Sequence, residues 1–264
     1  MIGDPLLYVA AGLLVGAMVG LTGVGGGSLM TPILVLGFGQ PPTVAVGTDL
    51  LFAAVTKLAA TASYGYAKRV DWRVVGRLAI GSLPGAIAVI AWLWLSRRPQ
   101  PVVDHVIIST LAWILLVTAV GILFQEALRR LGVRVTAASL ERAERYRPAL
   151  TVLTGLVLGV AVTLTSVGAG ALGVVALLYL YPLRLTADRL VATDIAHALP
   201  LTIVAGMGHA ALGHVSPQVL GCLLLGSIPG VLIATRTNMR IPPVVTRVLI
   251  AVMLVAVGIR MLSA

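Results

Sequence analysis

The sequence has few of the residues that cover a water-facing surface. Only 11% of its 264 residues are charged and 59% are hydrophobic, whereas a soluble domain is typically about 25% charged and about 45–50% apolar. This composition excludes a soluble protein. One crossing of a bilayer needs about 20 apolar residues, and the apolar runs allow roughly eight such segments. The sequence therefore predicts an all-α polytopic membrane protein.

Cysteine and acidic residues are also scarce. A single cysteine, Cys222, excludes a disulfide framework and a paired-cysteine metal site, so we expect no metal and no cofactor. Lys and Arg number 19 against 9 Asp and Glu. Because most of the arginines flank apolar runs, they report membrane topology, and we expect no nucleic-acid partner. The sequence contains no GxxxxGK[ST] phosphate-binding loop, so energy for any transport would come from gradients or from another protein.

The apolar segments divide into two groups of four. They cover residues 6–38, 44–66, 73–95 and 104–124, then 149–180, 188–212, 216–236 and 242–262. Between the groups lies one polar, arginine-rich stretch. This division predicts a first transmembrane repeat over residues 1–124, a cytosolic connector over 125–148, and a second transmembrane repeat over 149–264. An amphipathic helix and a loose linker are both compatible with the connector.

Three motifs recur in the same order in the two groups. LTGVGGG at 21–27 matches LTSVGAG at 164–170, Thr48-Asp49 matches Thr193-Asp194, and GSLPG at 81–85 matches GSIPG at 226–230. The offset is 143 positions for the first motif and 145 for the other two. The chain is therefore predicted to contain two copies of one four-segment unit.

The first segment of each copy is too long for one ordinary span and is interrupted by glycines. Each glycine weakens a helix by about 1 kcal/mol relative to alanine, which predicts breaks at Gly23–Gly27 and Ser166–Gly170. If both segments turn back as hairpins, 15 Lys and Arg face the cytosol and 3 face outward; with single crossings the numbers are 11 and 7. The sequence thus predicts two inverted repeats, each with a broken or re-entrant first helix and three transmembrane helices, and both termini outside the cytosol.

The helix breaks are candidate sites for a negatively charged solute. A half-helix N-terminus presents unpaired amide groups and a positive dipole end, which suit an anion. The candidate solute-binding residues are Thr22, Gly23, Gly25, Gly26, Gly27, Ser28, Lys57, Thr165, Ser166, Gly168 and Gly170. The alternative is that the glycines only permit close helix packing, as Gly12, Gly16 and Gly20 are expected to do.

Four ionisable residues within the apolar segments are candidates for charge handling. Asp49 and Asp194 occupy equivalent repeat positions and are candidate groups for a coupling proton or sodium ion. Thr-Asp before an apolar run is also typical of a helix N-cap, so capping stays open. Lys57 is predicted to pair with Asp49 or with the solute, or with a local partner. His197 shares a helix face with Asp194 and is either its proton-handling partner or a core histidine.

These motifs resemble a known family. The run Gly20–Ser28, followed by Val46-Gly47-Thr48-Asp49 and by Gly81–Gly85, is similar to the sulfite exporter TauE/SafE family of bacterial membrane transporters. The resemblance covers nearly the whole chain. It implies a carrier of the bacterial inner membrane that exports sulfite or organosulfonates. Its motif positions fall on Gly23, Gly25, Gly26, Gly27, Thr48, Asp49, Pro84 and Gly85 here, while the second copy departs from the glycine run at Ser166 and Ala169.

The main functional hypothesis is therefore a secondary active transporter that is not an enzyme and that moves a small sulfur-containing anion across the bilayer. An anion channel is the second hypothesis. A membrane enzyme using Asp194 and His197 is the third, although no nucleophile elbow or HExxH motif accompanies these residues. The identity of the anion, the coupling ion, the direction of transport and self-association into a homo-oligomer are left open.

Overall fold

The computed structural model describes residues 4–22, 27–64, 69–96, 100–133, 137–168, 170–181, 185–236 and 243–262. Most residues in these ranges are helical, and the ranges contain no strand. The helices are α1 (Pro5–Thr22), α2 (Gly27–Pro32, continued by a π-helical turn over Ile33–Gly37), α3 (Pro42–Tyr64), α4 (Trp72–Leu95), α5 (Gln100–Val133), α6 (Ala137–Thr165), α7 (Ala171–Leu180), α8 (Ala187–Ala211), α9 (Pro217–Arg236) and α10 (Pro243–Leu262). The prediction of an all-α polytopic protein is confirmed.

Proline and capping residues set several helix starts. Helices α1, α3, α9 and α10 each begin at a proline, whose missing N–H and fixed φ suit the first helical position. Asp71 precedes α4, and its carboxylate accepts a hydrogen bond from the Val74 N–H at 3.3 Å. The predicted segment boundaries therefore agree with the observed helices to within a few residues, except around the connector.

Five helices in the described ranges are long and apolar enough to cross a bilayer: Trp72–Leu95, Pro101–Phe124, Tyr146–Thr165, Arg189–Ala211 and Pro217–Ala234. By contrast, α7 has 10 residues. At 1.5 Å per residue it covers about 15 Å, half of a bilayer core of about 30 Å. Residues 27–37 form an equally short piece after α1. Each copy thus has a first helix followed by a half-length helix.

The first helix of each half packs against a helix of the other half, along two glycine seams. In one seam, Gly12 and Gly16 of α1 face the backbone of Leu223 and Ser227 in α9. The second seam, between α6 and α4, is formed by the equivalent residues: Gly155 and Gly159 face the backbone of Leu78 and Ser82. Contact positions rise together along both helices, so each pair is parallel. These contacts follow the predicted small-residue packing role of Gly12 and Gly16.

The helices that carry the two Thr-Asp motifs pack directly against each other. Gly47 of α3 faces His209 and His214 near the end of α8, and Gly206 of α8 faces Leu51 of α3. Position numbers rise along one helix as they fall along the other, so α3 and α8 are antiparallel. The two equivalent helices therefore run in opposite directions through the centre of the molecule.

The threonines of these motifs connect the two halves through equivalent hydrogen bonds. The Thr48 hydroxyl accepts from the Ser216 N–H at 3.0 Å, just before α9. The Thr193 hydroxyl accepts from the Asp71 N–H at 3.1 Å, just before α4. Each threonine thus binds the backbone where the third long helix of the other half begins.

The described part of the connector is helical. Helix α5 continues from its apolar span to Val133, and α6 begins at Ala137, well before its own apolar span. Residues 125–133 and 137–148 are therefore extensions of the two neighbouring helices, because residues 125–131 and 137–147 contain no glycine or proline to end them.

One end of the helix bundle carries several arginine side chains. At one end, Arg77 reaches the Tyr181 hydroxyl at 3.5 Å and the Arg147 guanidinium lies 5.7 Å from the centre of the Tyr181 ring. Arg189 donates to the Arg69 carbonyl at the same end. The other end carries the Ser216 bond described above. Arginine side chains of α4, α6 and α8 therefore gather at one end.

Candidate solute-binding site

The second helix break is a tight turn between α6 and α7. Ser166 has a φ of 58°, and Gly168 and Gly170 have φ values of 114° and 139°. These left-handed conformations strain any side chain, which explains why two glycines stand here. The predicted break over 166–170 is therefore present. In the first copy, Gly23, Gly25 and Gly26 lie outside the described residues, between the end of α1 and the start of α2 at Gly27.

The Asp49 carboxylate binds the half-helix of its own copy. Its Oδ2 accepts from the Thr31 hydroxyl at 2.6 Å and from the Thr31 N–H at 3.1 Å, and all of these groups are buried. Ser166 from the other copy lies against the same carboxylate. Hydrogen bonds to a charged group are short and strong, so Asp49 fixes α2 onto α3 beside the second break.

The Asp194 carboxylate has a different environment. It is 1% exposed, and neither oxygen has a hydrogen-bond partner among the described residues. The half-helix residue that faces it is Gly173, where an added Cβ would overlap Oδ1. A buried carboxylate without hydrogen bonds is unfavourable, since removal from water is then uncompensated. Asp194 therefore requires a charge partner or a bound proton.

Lys57 lies within reach of both carboxylates. Its side chain is 2% exposed and interacts electrostatically with Asp194 and with Asp49. His197, one turn after Asp194, is buried, and its Nε2 lies 2.9 Å from the Ser82 hydroxyl of α4. The structure thus brings the three predicted coupling residues and Lys57 into one buried polar cluster between α3 and α8.

The capping alternative for the two aspartates is wrong. Helix α3 begins at Pro42 and α8 at Ala187, so Asp49 and Asp194 both lie in the second turn or later, too deep to cap their own helices. The threonine beside each aspartate does meet a helix start, but it is the start of a helix in the other half. Sequence alone could not reveal this, because the bonded residues are more than 100 positions apart.

The remaining predicted residues divide into two groups. The Thr165 hydroxyl donates to the Ala161 carbonyl at 2.7 Å and accepts from the Val167 N–H at 3.2 Å, so it stabilises the end of α6. Ser166 keeps a buried hydroxyl without a hydrogen-bond partner in the described part of the chain. Thr22 is the last residue of α1 and Ser28 is the second residue of α2, and their side chains lie outside what the structure describes.

Three residues of the site were missed at the sequence level: Thr31, Ser82 and Gly173. A polar residue within an apolar half-helix was a usable signal for Thr31. Ser82 stands in the repeated GSLPG motif, and its pairing with His197 needed only the expectation that a buried imidazole finds a partner. Gly173 carried no signal, because its importance depends on the tertiary position of Asp194.

A pair of histidines, His209 and His214, lies at the end of the molecule opposite the arginines. His209 Nε2 donates to the Thr163 carbonyl at 2.9 Å, and the His209 and His214 rings are 5.5 Å apart. Burial lowers the pKa of His214, which lies in the loop after α8, although nearby Asp104 raises it. The described residues contain no group of three or more His, Cys, Asp or Glu that could hold a metal ion.

This arrangement of long apolar helices, two half-length helices and a buried cluster of ionisable residues defines a multi-pass membrane protein of the transporter class. The sulfite exporter TauE/SafE family matches residues 8–261, and the chain belongs to that family. No solved structure is significantly similar to the chain.

Curated relatives support the same class. The chain is 39% identical over 254 residues to the probable membrane transporter protein YjnA of Bacillus subtilis (strain 168), covering 96% of this chain and 98% of the relative. It is 22% identical to the probable membrane transporter protein YdhB of the same organism, over 92% of this chain and 94% of the relative. These names indicate a transporter rather than an enzyme.

Proposed function

We propose that the protein is a secondary transporter that binds a small sulfur-containing anion, such as sulfite or an organosulfonate, beside Lys57 and between the two helix breaks. The supporting observation is the buried Lys57 ammonium, which interacts with two carboxylates. Of these, Asp49 binds Thr31 of α2 and Asp194 faces Gly173 of α7. A cation buried in this way offers the charge that an anion entering the bilayer core requires. The half-helix dipoles add to that charge.

The family description, sulfite exporter, supports the proposed substrate class. The protein would act in the bacterial inner membrane and move the anion out of the cytosol when the anion gradient favours it. Ser166 supplies a buried hydroxyl at the second break, where Gly168 and Gly170 let the chain turn without side chains, and Gly27 begins α2 after the first break. Thr22, Gly23, Gly25, Gly26 and Ser28 complete the proposed site at the first break.

The two halves are proposed to be inverted relative to each other. Hairpin first segments give each half an odd number of crossings, and equivalent helices must then run in opposite directions. The antiparallel packing of α3 and α8 supports this, since single crossings would make those two helices parallel. The arginine-rich end would face the cytosol together with the connector. A reporter fused to the C-terminus that reads cytosolic would contradict this orientation.

The function is tested with purified protein in proteoliposomes. Uptake of sulfite, sulfate, thiosulfate, sulfoacetate and taurine is measured with and without a pH gradient, and a carrier gives saturable uptake and counterflow. Uptake that never saturates and shows no counterflow would identify a channel instead. Turnover of a candidate substrate by protein in detergent, without a second compartment, would identify an enzyme.

The role of Lys57 is tested with Lys57→Ala. The variant should lose solute binding, measured as loss of the thermal stabilisation that the transported anion gives the wild type, while still inserting into the membrane. Arg73→Gln removes an exposed cation at the bundle end and is the matched control, which should bind as the wild type does. Unchanged affinity in Lys57→Ala would refute the assigned role.

A further inference from the structure

The buried polar cluster is asymmetric although the fold is repeated. The repeat equivalent of Lys57 is Thr202, whose hydroxyl donates to the Ala198 carbonyl at 2.9 Å in its own helix. The equivalent of His197 is Phe52. Ionisable side chains beyond the aspartates thus occur at only one of each pair of equivalent positions. Lys57 and His197 therefore each lack an ionisable counterpart in the other copy.

The two aspartates also differ in their hydrogen-bond partners. Asp49 accepts two hydrogen bonds from Thr31, which stabilise its ionised form in place. Asp194 faces Gly173, which has no side chain, and both of its oxygens lack hydrogen-bond partners in the described ranges. Equivalent positions in the two copies thus hold one anchored carboxylate and one carboxylate that only a neighbouring charge can stabilise.

The groups around Asp194 favour a proton over a metal cation. Helix α3 contributes the Lys57 ammonium, α8 contributes His197, α7 contributes Gly173, and α4 contributes Ser82, whose hydroxyl is paired with His197. Sodium ions in transporters are held by several oxygen ligands, often backbone carbonyls of unwound helices. Here a bound cation would instead meet an ammonium group. A proton needs only one carboxylate oxygen.

We propose that the coupling ion is a proton, that Asp194 alone carries it, and that one proton enters with each anion that binds beside Lys57. This proposal rests on the proposed function. Without solute, Lys57 and Asp194 neutralise each other. An arriving anion takes the place of the carboxylate beside Lys57, and a proton from the same aqueous side binds an Asp194 oxygen.

When the anion carries one negative charge, the charge of the buried cluster is unchanged by this exchange, which avoids leaving an extra charge in the bilayer core. Release on the other side returns both anion and proton, and the pair of Lys57 and Asp194 re-forms. The protein is then an anion–proton symporter whose net direction follows the sum of the two gradients. Export proceeds when the anion gradient exceeds the opposing proton gradient.

The experiment uses wild-type proteoliposomes that contain a pH-sensitive dye, with methanesulfonate as the probe because this organosulfonate carries one negative charge and does not titrate near neutral pH. We expect uptake to rise by up to about tenfold when the external pH falls by one unit, since one unit is a tenfold change in proton concentration. The interior should acidify as the anion enters, and replacing external potassium by sodium should have no effect. Stimulation by sodium, or uptake without acidification, would overturn the proposal.

Matched variants assign the proton to one residue. Asp194→Asn should make any remaining uptake independent of pH and remove the acidification, whereas the exposed control Asp4→Asn should keep both. Any uptake that remains in Asp49→Asn should still depend on pH and still acidify the interior. Loss of pH dependence in Asp49→Asn together with its retention in Asp194→Asn would refute the assignment. If Asp194→Asn does not fold, the wild-type dye and sodium measurements still decide the coupling ion. No uptake of any anion in the panel refutes the proposed function itself and this inference with it.

Discussion

Replacing a glycine of the two seams by alanine should destabilise the protein, whereas the same replacement at a helix glycine outside the seams should not. Gly155→Ala places a methyl group on the backbone of α4, where the Leu78 Cα and carbonyl carbon would both lie 3.0 Å away and the carbonyl oxygen closer still. A backbone cannot rotate away as a side chain can. The two helices must therefore separate, which removes contacts along the whole seam.

The magnitude follows from two opposing effects. Overpacking of this kind costs about 1–3 kcal/mol, while alanine is a better helix former than glycine by about 1 kcal/mol. Gly76→Ala is the matched control, because it lies in α4 two residues before Leu78 and a Cβ there meets nothing within 4 Å. The control variant therefore gains the helix propensity of alanine without the cost of overpacking. The seam variant should thus be less stable than the control by about 1–3 kcal/mol.

The assay is thermal unfolding in detergent, followed by tryptophan fluorescence. A difference of 1 kcal/mol shifts Tm by about 2–4 °C in a protein of similar size, so Gly155→Ala should unfold about 2–12 °C below Gly76→Ala. The other seam offers an equivalent pair, Gly12→Ala with Gly221→Ala as its control. A seam variant that unfolds at or above its control temperature would refute the close packing of these helices.

Two further predictions concern the hydroxyls of Thr48 and Thr193 and the imidazole of His214. Thr48→Val and Thr193→Val should each lower the free energy of unfolding by about 1–3 kcal/mol, because the Ser216 and Asp71 N–H groups lose their hydrogen-bond acceptors. Urea unfolding in detergent measures this change. Unaltered stability would show that water replaces the threonine hydroxyl. Burial lowers the pKa of His214 in the folded state, so the unfolded chain binds protons more readily and stability should fall as pH drops below about 6.5. His214→Gln should flatten that part of the Tm profile, and an identical slope in both proteins would contradict the assignment.

The sequence was sufficient for features that depend on local pattern. Helix spans follow from apolar length, and the break at Gly168 and Gly170 follows from glycine, because the left-handed φ values found there exclude most other residues. The role of Gly12 and Gly16 in close helix packing was also predictable, since residues four positions apart lie on one face of a helix. The extent of the helices in the connector was less predictable, because helix length in charged segments depends on helix-breaking residues as well as on apolar pattern.

The site was only partly predictable, because its contacts join distant positions. Asp49 and Asp194 were recognised as equivalent, but their different surroundings depend on Thr31 and Gly173, which reach them only after folding. Capping was a reasonable alternative while the helix starts were unknown. Lys57 was identified because it is isolated in an apolar run. Its neighbours could not be predicted, because they depend on how α3 packs against α8.

The glycine seams have a consequence for how the chain is made. Gly12 and the Leu223 backbone that it contacts are separated by 211 positions. At a synthesis rate of about 5–20 residues per second, α1 leaves the ribosome about 10–40 s before its partner exists. During that interval the first helix must reside in lipid or beside an insertion factor with its glycine face uncovered. Neither half can complete its packing until nearly the entire polypeptide has been translated.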